Sequence, residues 1–349
     1  MNRLHIISVI FISALLLGGC GKETPVTGGS QKPIRFSAGM SVTTKAQKPD
    51  DPTVLLSVGN QAGIFGTRVV ALESEQVFFN RVLRCDAVPD PLTPTLPYSS
   101  VWNYSPFEYW KDTGNYYFTG VFPYSNDNAS IDNTYYLNVS YQAGSNTDLM
   151  VARAYRDASV STDPVNLEFK HTTSAVRFLF GKSSDSPSDG YELTYFQLES
   201  IAASGTFKIL TRITDPSGDP ISSSNWTTGA LSNISTWLAE AAEDRKEITH
   251  PADADDPDGY TPMGWYYMVP QTLSAGAAVR FMVSYNGEDP VENVLSITDC
   301  DGVPGADTWI PNCVYNYYIM LTQSGLNVNI KATPWDDVQV TTEDFNFEG

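Results

Sequence analysis

Six stretches of the chain alternate apolar and polar residues with a period of two, the pattern of strands that rest one face on a core. Ile34, Phe36, Ala38, Met40 and Val42 interleave with Arg35, Ser37, Gly39 and Ser41. Tyr135, Leu137, Val139 and Tyr141 share one side of a second stretch, and Val165, Leu167 and Phe169 of a third. Val176, Phe178 and Phe180, then Val279, Phe281, Val283 and Tyr285, then Leu326, Val328 and Ile330 repeat the pattern. Turn-forming clusters rich in Pro, Gly, Asp, Ser and Asn separate them, at Ser183 to Gly190, Asp215 to Pro220 and Asp253 to Gly259. Short strands spaced by such turns predict an all-β chain of sandwiches rather than alternating βα units. One segment, Ser235 to Lys246, places Trp237, Leu238 and Ala241 on one helical face behind a serine cap, which predicts a short helical insertion.

The first residues carry one positive charge, Arg3, and are nearly all apolar from Leu4 to Leu17 before Gly18, Gly19 and Cys20. This is a secretory signal peptide, too short for a spanning helix of roughly 20 residues. Leu17-Gly18-Gly19-Cys20 looks like a bacterial lipobox, so cleavage makes Cys20 the acylated N-terminus. Acyl chains at about 0.8 kcal/mol per buried methylene then hold the chain on a membrane. The expected organisation is a signal peptide over 1–19, a lipidated tether over 20–33, an N-terminal β-sandwich over 34–162 and a C-terminal one over 163–349. Without Arg3, 20 basic residues face 40 acidic ones. Such a surface repels phosphate backbones, so nucleic acid is not an expected partner.

Candidate chemistry is sparse. Beyond His5 in the signal segment, only His171 and His250 could act as bases or ligands, and His171 reads as a hydrogen-bonded structural residue. No nucleophile elbow, zinc-binding helix motif or phosphate loop occurs. Asp253, Asp255, Asp256 and Asp258 fail the calcium-loop spacing, because Pro257 takes a ligand position and Gly264 stands where the bidentate glutamate belongs. No metal, no cofactor and no enzymatic activity are expected, although forty acids leave a glycosidase carboxylate pair open. Cys300 and Cys313 flank a turn-rich segment: either they close a small disulfide loop, or they and Cys85 are buried reduced thiols. Trp102, Tyr104, Phe107, Tyr109, Trp110, Tyr116, Tyr117 and Phe118 are expected mostly in the core, with a rim ring left over as a ligand platform.

Several segments together resemble the fimbrillin family of lipoprotein-derived pilins, tip subunits and anchors. They are Ile34-Arg35-Phe36-Ser37-Ala38 with Thr44-Lys45-Ala46, then Tyr109-Trp110, Tyr116-Tyr117-Phe118 and Phe122-Pro123-Tyr124. Asp148-Leu149-Met150-Val151-Ala152, Leu167-Glu168-Phe169-Lys170-His171 and Val176-Arg177-Phe178 continue the series. Val269-Pro270-Gln271-Thr272, Tyr315-Asn316-Tyr317-Tyr318-Ile319 and Trp335 complete it. The resemblance implies two transthyretin-like β-sandwiches, display on the outer membrane, other pilus subunits as partners, and, in polymerising members, proteolytic loss of the first strand. Ile34, Phe36, Ala38, Met40 and Val42 then form the strand that leaves. Lys45-Ala46 stands where resembling members carry the Arg-Ala processing site, and an uncut chain would serve as anchor or cap. Leu326, Val328 and Ile330, with the tail to Gly349, are the candidate donor strand. The competing expectation is a surface lipoprotein that binds glycans through exposed aromatics.

Overall fold

A computed structural model of the chain describes residues 32–40, 59–87, 100–143, 148–183, 190–218, 221–252, 259–298, 307–322 and 325–334. Among them the regular structure is strand throughout, apart from three single-turn 3-10 helices. The first sheet contains β1 (Phe36–Met40), β2 (Gln61–Val70), β3 (Glu73–Ala87), β4 (Ser100–Asn103), β5 (Asn115–Phe122), β8 (Met150–Asp157) and β9 (Val165–His171). It runs in the order β1-β4-β3-β2-β5-β8-β9 and closes into a barrel, because β9 pairs with β1. Inside lie Ile34, Phe36, Ile64, Phe78, Leu83, Trp102, Tyr116, Phe118, Leu167 and Phe169, a core that closure leaves without an edge.

A second core is enclosed by the remaining sheets. One contains β6 (Ala129–Ile131), β7 (Tyr136–Gln142), β12 (Ser204–Leu210) and β13 (Trp226–Thr228). Another orders β16 (Thr261–Met268), β10 (Ser174–Lys182), β21 (Cys313–Thr322) and β22 (Gly325–Pro334). A third orders β14 (Leu231–Leu238), β11 (Tyr191–Ala202), β18 (Ala278–Tyr285) and β19 (Val291–Ser296), with β15 (Lys246–Glu247) also on β11. A short pair joins β17 (Gln271–Thr272) to β20 (Thr308–Trp309). Every side chain of β10 is buried. Val176, Phe178 and Phe180 enter the large core, while Leu179 meets Tyr260 and Tyr318 on the opposite side.

Two expectations are corrected. Val165 to His171, expected to open the second sandwich, closes the first barrel: its buried Val165, Leu167 and Phe169 belong to the first core. Conversely β6 and β7 leave the first sheet, and Leu137, Val139 and Tyr141 fill the second core. No boundary before Val165 therefore separates the two cores. The expected helix over 235–246 is also absent. Strand β14 continues through Leu238, a 3-10 turn spans Ala242–Asp244, and β15 follows. Ile234, Ser235 and Thr236 are weak helix formers, and pairing of Trp237 with Phe196 on β11 outweighs the apolar face that suggested a helix.

Candidate assembly site

Strand β1 is held on both sides. It runs antiparallel to β4, with Phe36 opposite Trp102 and Ala38 opposite Ser100, and parallel to β9, with Phe36 opposite Val165 and Met40 opposite Phe169. Its alternation does what the sequence predicts: Ile34, Phe36 and Ala38 are buried, while Arg35 is exposed and Ser37 half-buried. Ser37 Oγ donates to Asn166 Oδ1 at 3.2 Å on the outside. Phe36, only 3% exposed, sits edge-on to Phe78, Tyr104 and Phe118 at centroid separations of 5.6, 5.8 and 5.4 Å. Such edge-to-face contacts add to the burial of the ring itself.

The pairing continues ahead of the strand. Ile34 N–H donates to the Glu108 carbonyl at 2.8 Å, Trp110 N–H to the Lys32 carbonyl at 3.0 Å, and Pro33 bridges Tyr109. The Tyr104 hydroxyl donates to the Ile34 carbonyl at 2.8 Å and accepts from Glu108 N–H at 3.1 Å. Burial pushes that phenol up to about 12, only partly offset by its contact with the Glu108 backbone. On the other flank Val165 N–H donates to the Arg35 carbonyl at 2.8 Å. Residues 32 to 38 are thus bonded along their length, to Tyr104 and 108–110 first and to β4 and β9 next.

Of the other sequence candidates, Cys20, Val42, Lys45, Ala46 and Cys300 lie outside the described residues. Cys313 is a buried free thiol, pushed above its ordinary range by burial. Leu326, Val328 and Ile330 lie in β22, which pairs with β21 along its length, opposite Leu321, Ile319 and Tyr317. His171 Nδ1 lies 2.5 Å from Asp148 Oδ2 inside the protein, and Thr173 Oγ1 donates to Asp148 Oδ1 at 2.7 Å. His250 Nδ1 is 2.8 Å from the Lys182 carbonyl. Among the described residues no group of three or more His, Cys, Asp or Glu is arranged to hold a metal ion. Of the aromatics singled out, Trp102, Tyr104, Trp110, Tyr116 and Phe118 are buried, Tyr117 is half-buried, and Phe107 and Tyr109 are exposed. Sequence reasoning missed Phe78, and it missed the segment 108–110 as a partner of the first strand.

The class these features define is an all-β protein of several packed sheets whose first sheet is closed by its own N-terminal strand. Solved structures share this fold. A candidate cell adhesion protein of Bacteroides uniformis superimposes with a TM-score of 0.51 at 15% identity, covering 87% of this chain and 98% of that one. A second candidate cell adhesion protein, from Bacteroides ovatus, gives 0.52 at 12% identity, with 88% and 99% covered. A fimbrial protein of Bacteroides vulgatus gives 0.53 at 10% identity, with 86% and 99% covered. No curated protein matches the chain. The fimbrillin-like family model matches residues 87–335, and the chain belongs to that family. The matched range starts at the last residue of β3, so β1 and β2 lie ahead of it.

Proposed function

We propose that the protein is a non-catalytic subunit of a cell-surface pilus, exported as a lipoprotein through Cys20 and assembled with other subunits by strand exchange. One observation carries this reading: β1 is paired on both sides within the first barrel, and Lys45 follows it in the sequence ahead of β2. Among the described strands, a cut after Lys45 severs β1 alone from the others. Its departure would leave β4 and β9 with unpaired N–H and C=O groups along a groove floored by Phe78, Tyr104 and Phe118. An extended segment of another subunit repairs such a wound by β-augmentation.

The groove specifies its guest: an aliphatic side chain, a phenyl ring and a small residue at alternate positions, as in Ile34, Phe36 and Ala38. Leu326, Val328 and Ile330 bring a branched aliphatic to the smallest position, and their backbone would first have to leave β21. Within the C-terminal segment, Phe347 and Gly349 match the phenyl and small positions, and Phe345 puts a ring where Ile34 is aliphatic, with Asn346 and Glu348 between them. The donor assignment therefore narrows to that part of the tail.

The test starts from purified protein beginning at Gly21, treated with a trypsin-like protease, with the new N-terminus mapped and size followed by light scattering. Cleavage after Lys45 followed by linear oligomers is the expected result. Resistance at Lys45 with a persistent monomer would set aside the stalk role in favour of an anchor or cap. Glycan binding by the intact monomer is the rival, and it rests on Phe107 and Tyr109, the two exposed rings of the aromatic stretch.

A further inference from the structure

The outer face of the first barrel carries rings that meet a cation from the second core's loops. Asn115 and Tyr117 alternate along β5 with Tyr116 and Phe118, which fill the barrel, and Tyr117 pairs across the sheet with Tyr155 on β8. The two phenol rings lie 5.4 Å apart between centroids, and the Tyr155 hydroxyl donates to Asn115 Oδ1 at 2.9 Å. The Arg212 guanidinium, just after β12, lies 5.8 Å from the centroid of Tyr117 and 4.0 Å from that of Tyr135, between β6 and β7. Asn115, Tyr155, Tyr117, Arg212 and Tyr135 therefore meet in one unbroken series, each of them half-buried.

The cation is held in place. Tyr135 stands at φ +64, a backbone conformation that a bulky residue rarely takes. Its N–H donates to the Asp132 carbonyl at 3.0 Å, and its carbonyl accepts from Thr211 N–H at 2.9 Å and from Thr211 Oγ1 at 2.7 Å. Its hydroxyl lies 3.2 Å from Ser74 Oγ, and Arg153 donates to the neighbouring Leu210 carbonyl at 3.2 Å. Acids of the flanking turns are already engaged, Asp132 with Thr134 and Lys208, Asp157 with Ser159. Arg212 meets no carboxylate and no hydrogen-bond acceptor among the described residues, although 40 acids face 21 bases in the chain. Two positions along β5, about 7 Å on, Thr119 faces the same way as Tyr117 and lies opposite Arg153. It is 1% exposed and its Oγ1 has no hydrogen-bond partner, whereas buried hydroxyls are nearly always bonded.

A guanidinium stacked on rings keeps its edge for a ligand, and its five N–H groups lie in a plane that fits both oxygens of a carboxylate. The tyrosines beside it offer apolar ring surface with a polar rim, which suits the CH face and hydroxyls of a pyranose. Asn115, whose Oδ1 is taken by Tyr155, keeps its Nδ2–H groups for a sugar hydroxyl. A peptide cannot add here as a strand, because β5 is already paired with β2 on one side and β8 on the other. We infer that Arg212, Tyr117, Tyr155 and Asn115 form a binding site for an acidic sugar, with Arg212 holding its carboxylate. The inference stands apart from strand exchange, since no residue of β1 or of the C-terminal segment takes part. It also differs from glycan binding at Phe107 and Tyr109, which offer rings without this cation.

The test titrates the uncleaved protein beginning at Gly21 with D-glucuronate, followed by saturation-transfer NMR. Two comparison ligands are D-glucose, which lacks the carboxylate, and acetate, which lacks the ring. The expected result is saturable binding of glucuronate, with glucose and acetate weaker by about tenfold or more. Arg212→Gln is expected to weaken glucuronate about tenfold or more, and Arg212→Lys, which keeps a cation over the rings without the planar fork, by less. The control Arg245→Gln removes the same charge from a pair with Glu192 on β11 and is expected to bind as the wild type does. The three-ligand comparison on the wild type decides the matter even where an Arg212 variant fails to fold. Absence of saturable glucuronate binding, or equal binding of glucose, would overturn the inference. Unchanged affinity in a folded Arg212→Gln would overturn it too. Tighter binding of the peptide acetyl-Gly-Glu-Gly-amide than of glucuronate would give the guanidinium to an acidic protein segment and overturn the sugar site.

Discussion

Two residues around β1 carry unequal burdens. Phe36 contributes a buried ring with three aromatic neighbours, so Phe36→Ala leaves a cavity that the closed barrel cannot collapse around. The expected loss is about 3–5 kcal/mol by urea or guanidinium titration. Phe79, two-thirds exposed, should tolerate the same change with little effect, and equal losses at the two sites would remove Phe36 from its central role. Gly114 is a backbone case. It sits at φ +118, and a Cβ there would meet Arg68 Nε at 2.9 Å, a Val70 methyl at 3.0 Å and the Val69 carbonyl at 3.1 Å. Gly114→Ala combines left-handed strain with a tight approach to the Val69 carbonyl, at about 1–3 kcal/mol, because the carbonyl yields less readily than the Arg68 side chain. A stability within experimental error of the wild type would contradict that geometry.

At the scale of elements, if the chain is cut after Lys45 as proposed, β1 becomes a peptide held by its pairing alone, and Tyr104 gives its retention a pH dependence. The phenol must stay protonated to donate to Ile34, and its value in the fold, about 12, lies above the ordinary value of 10. The folded state therefore binds the proton more tightly. The contribution is complete below about pH 10 and is lost as pH rises through about 12. Size exclusion of the cleaved protein should show the peptide retained at neutral pH and released across that window. Tyr104→Phe should weaken retention at neutral pH by about 1 kcal/mol and flatten the alkaline step. Buried Tyr141 and Tyr315 are raised too, so the difference between the two curves, rather than either alone, reports on Tyr104. The first strand was legible because its alternation, Ile34 to Ala38, survives intact in the fold. Strand β3 was not, since the register slips around Asn80, which sits at φ +44, and this breaks the period that would have put Phe78 in line with Leu83 and Cys85. Strand β2 hides for another reason. Ile64 enters the first core and Phe65 the second, so both faces are apolar and no alternation remains.

The whole molecule depends on how its two cores are joined, and this was the least legible feature, because it is set by which sheet a strand enters and not by any residue pattern. The chain passes from β9 in the first barrel to β10 in the second core through Thr172 and Thr173 alone. Each is fixed there. Thr172 Oγ1 donates to the Leu149 carbonyl at 2.7 Å, and the Thr172 carbonyl accepts from Trp226 Nε1 at 2.7 Å. Thr173 donates to Asp148, whose other oxygen meets His171, and the Thr173 carbonyl accepts from Asn312 N–H at 3.0 Å. Asp148 and His171 are both almost wholly buried, and removing one partner of a buried pair costs about 3–5 kcal/mol, since His171 Nδ1 and Thr173 Oγ1 both lose the Asp148 carboxylate. Because Phe65, Val121 and Val151 of the first sheet also pack into the second core, that loss should spread to both. Asp148→Ala is therefore expected to lower one cooperative unfolding transition, with amide protection in β5 and in β18 falling together by hydrogen exchange. Two transitions, with only the first barrel weakened, would mean that the cores fold independently and that the junction is merely a linker.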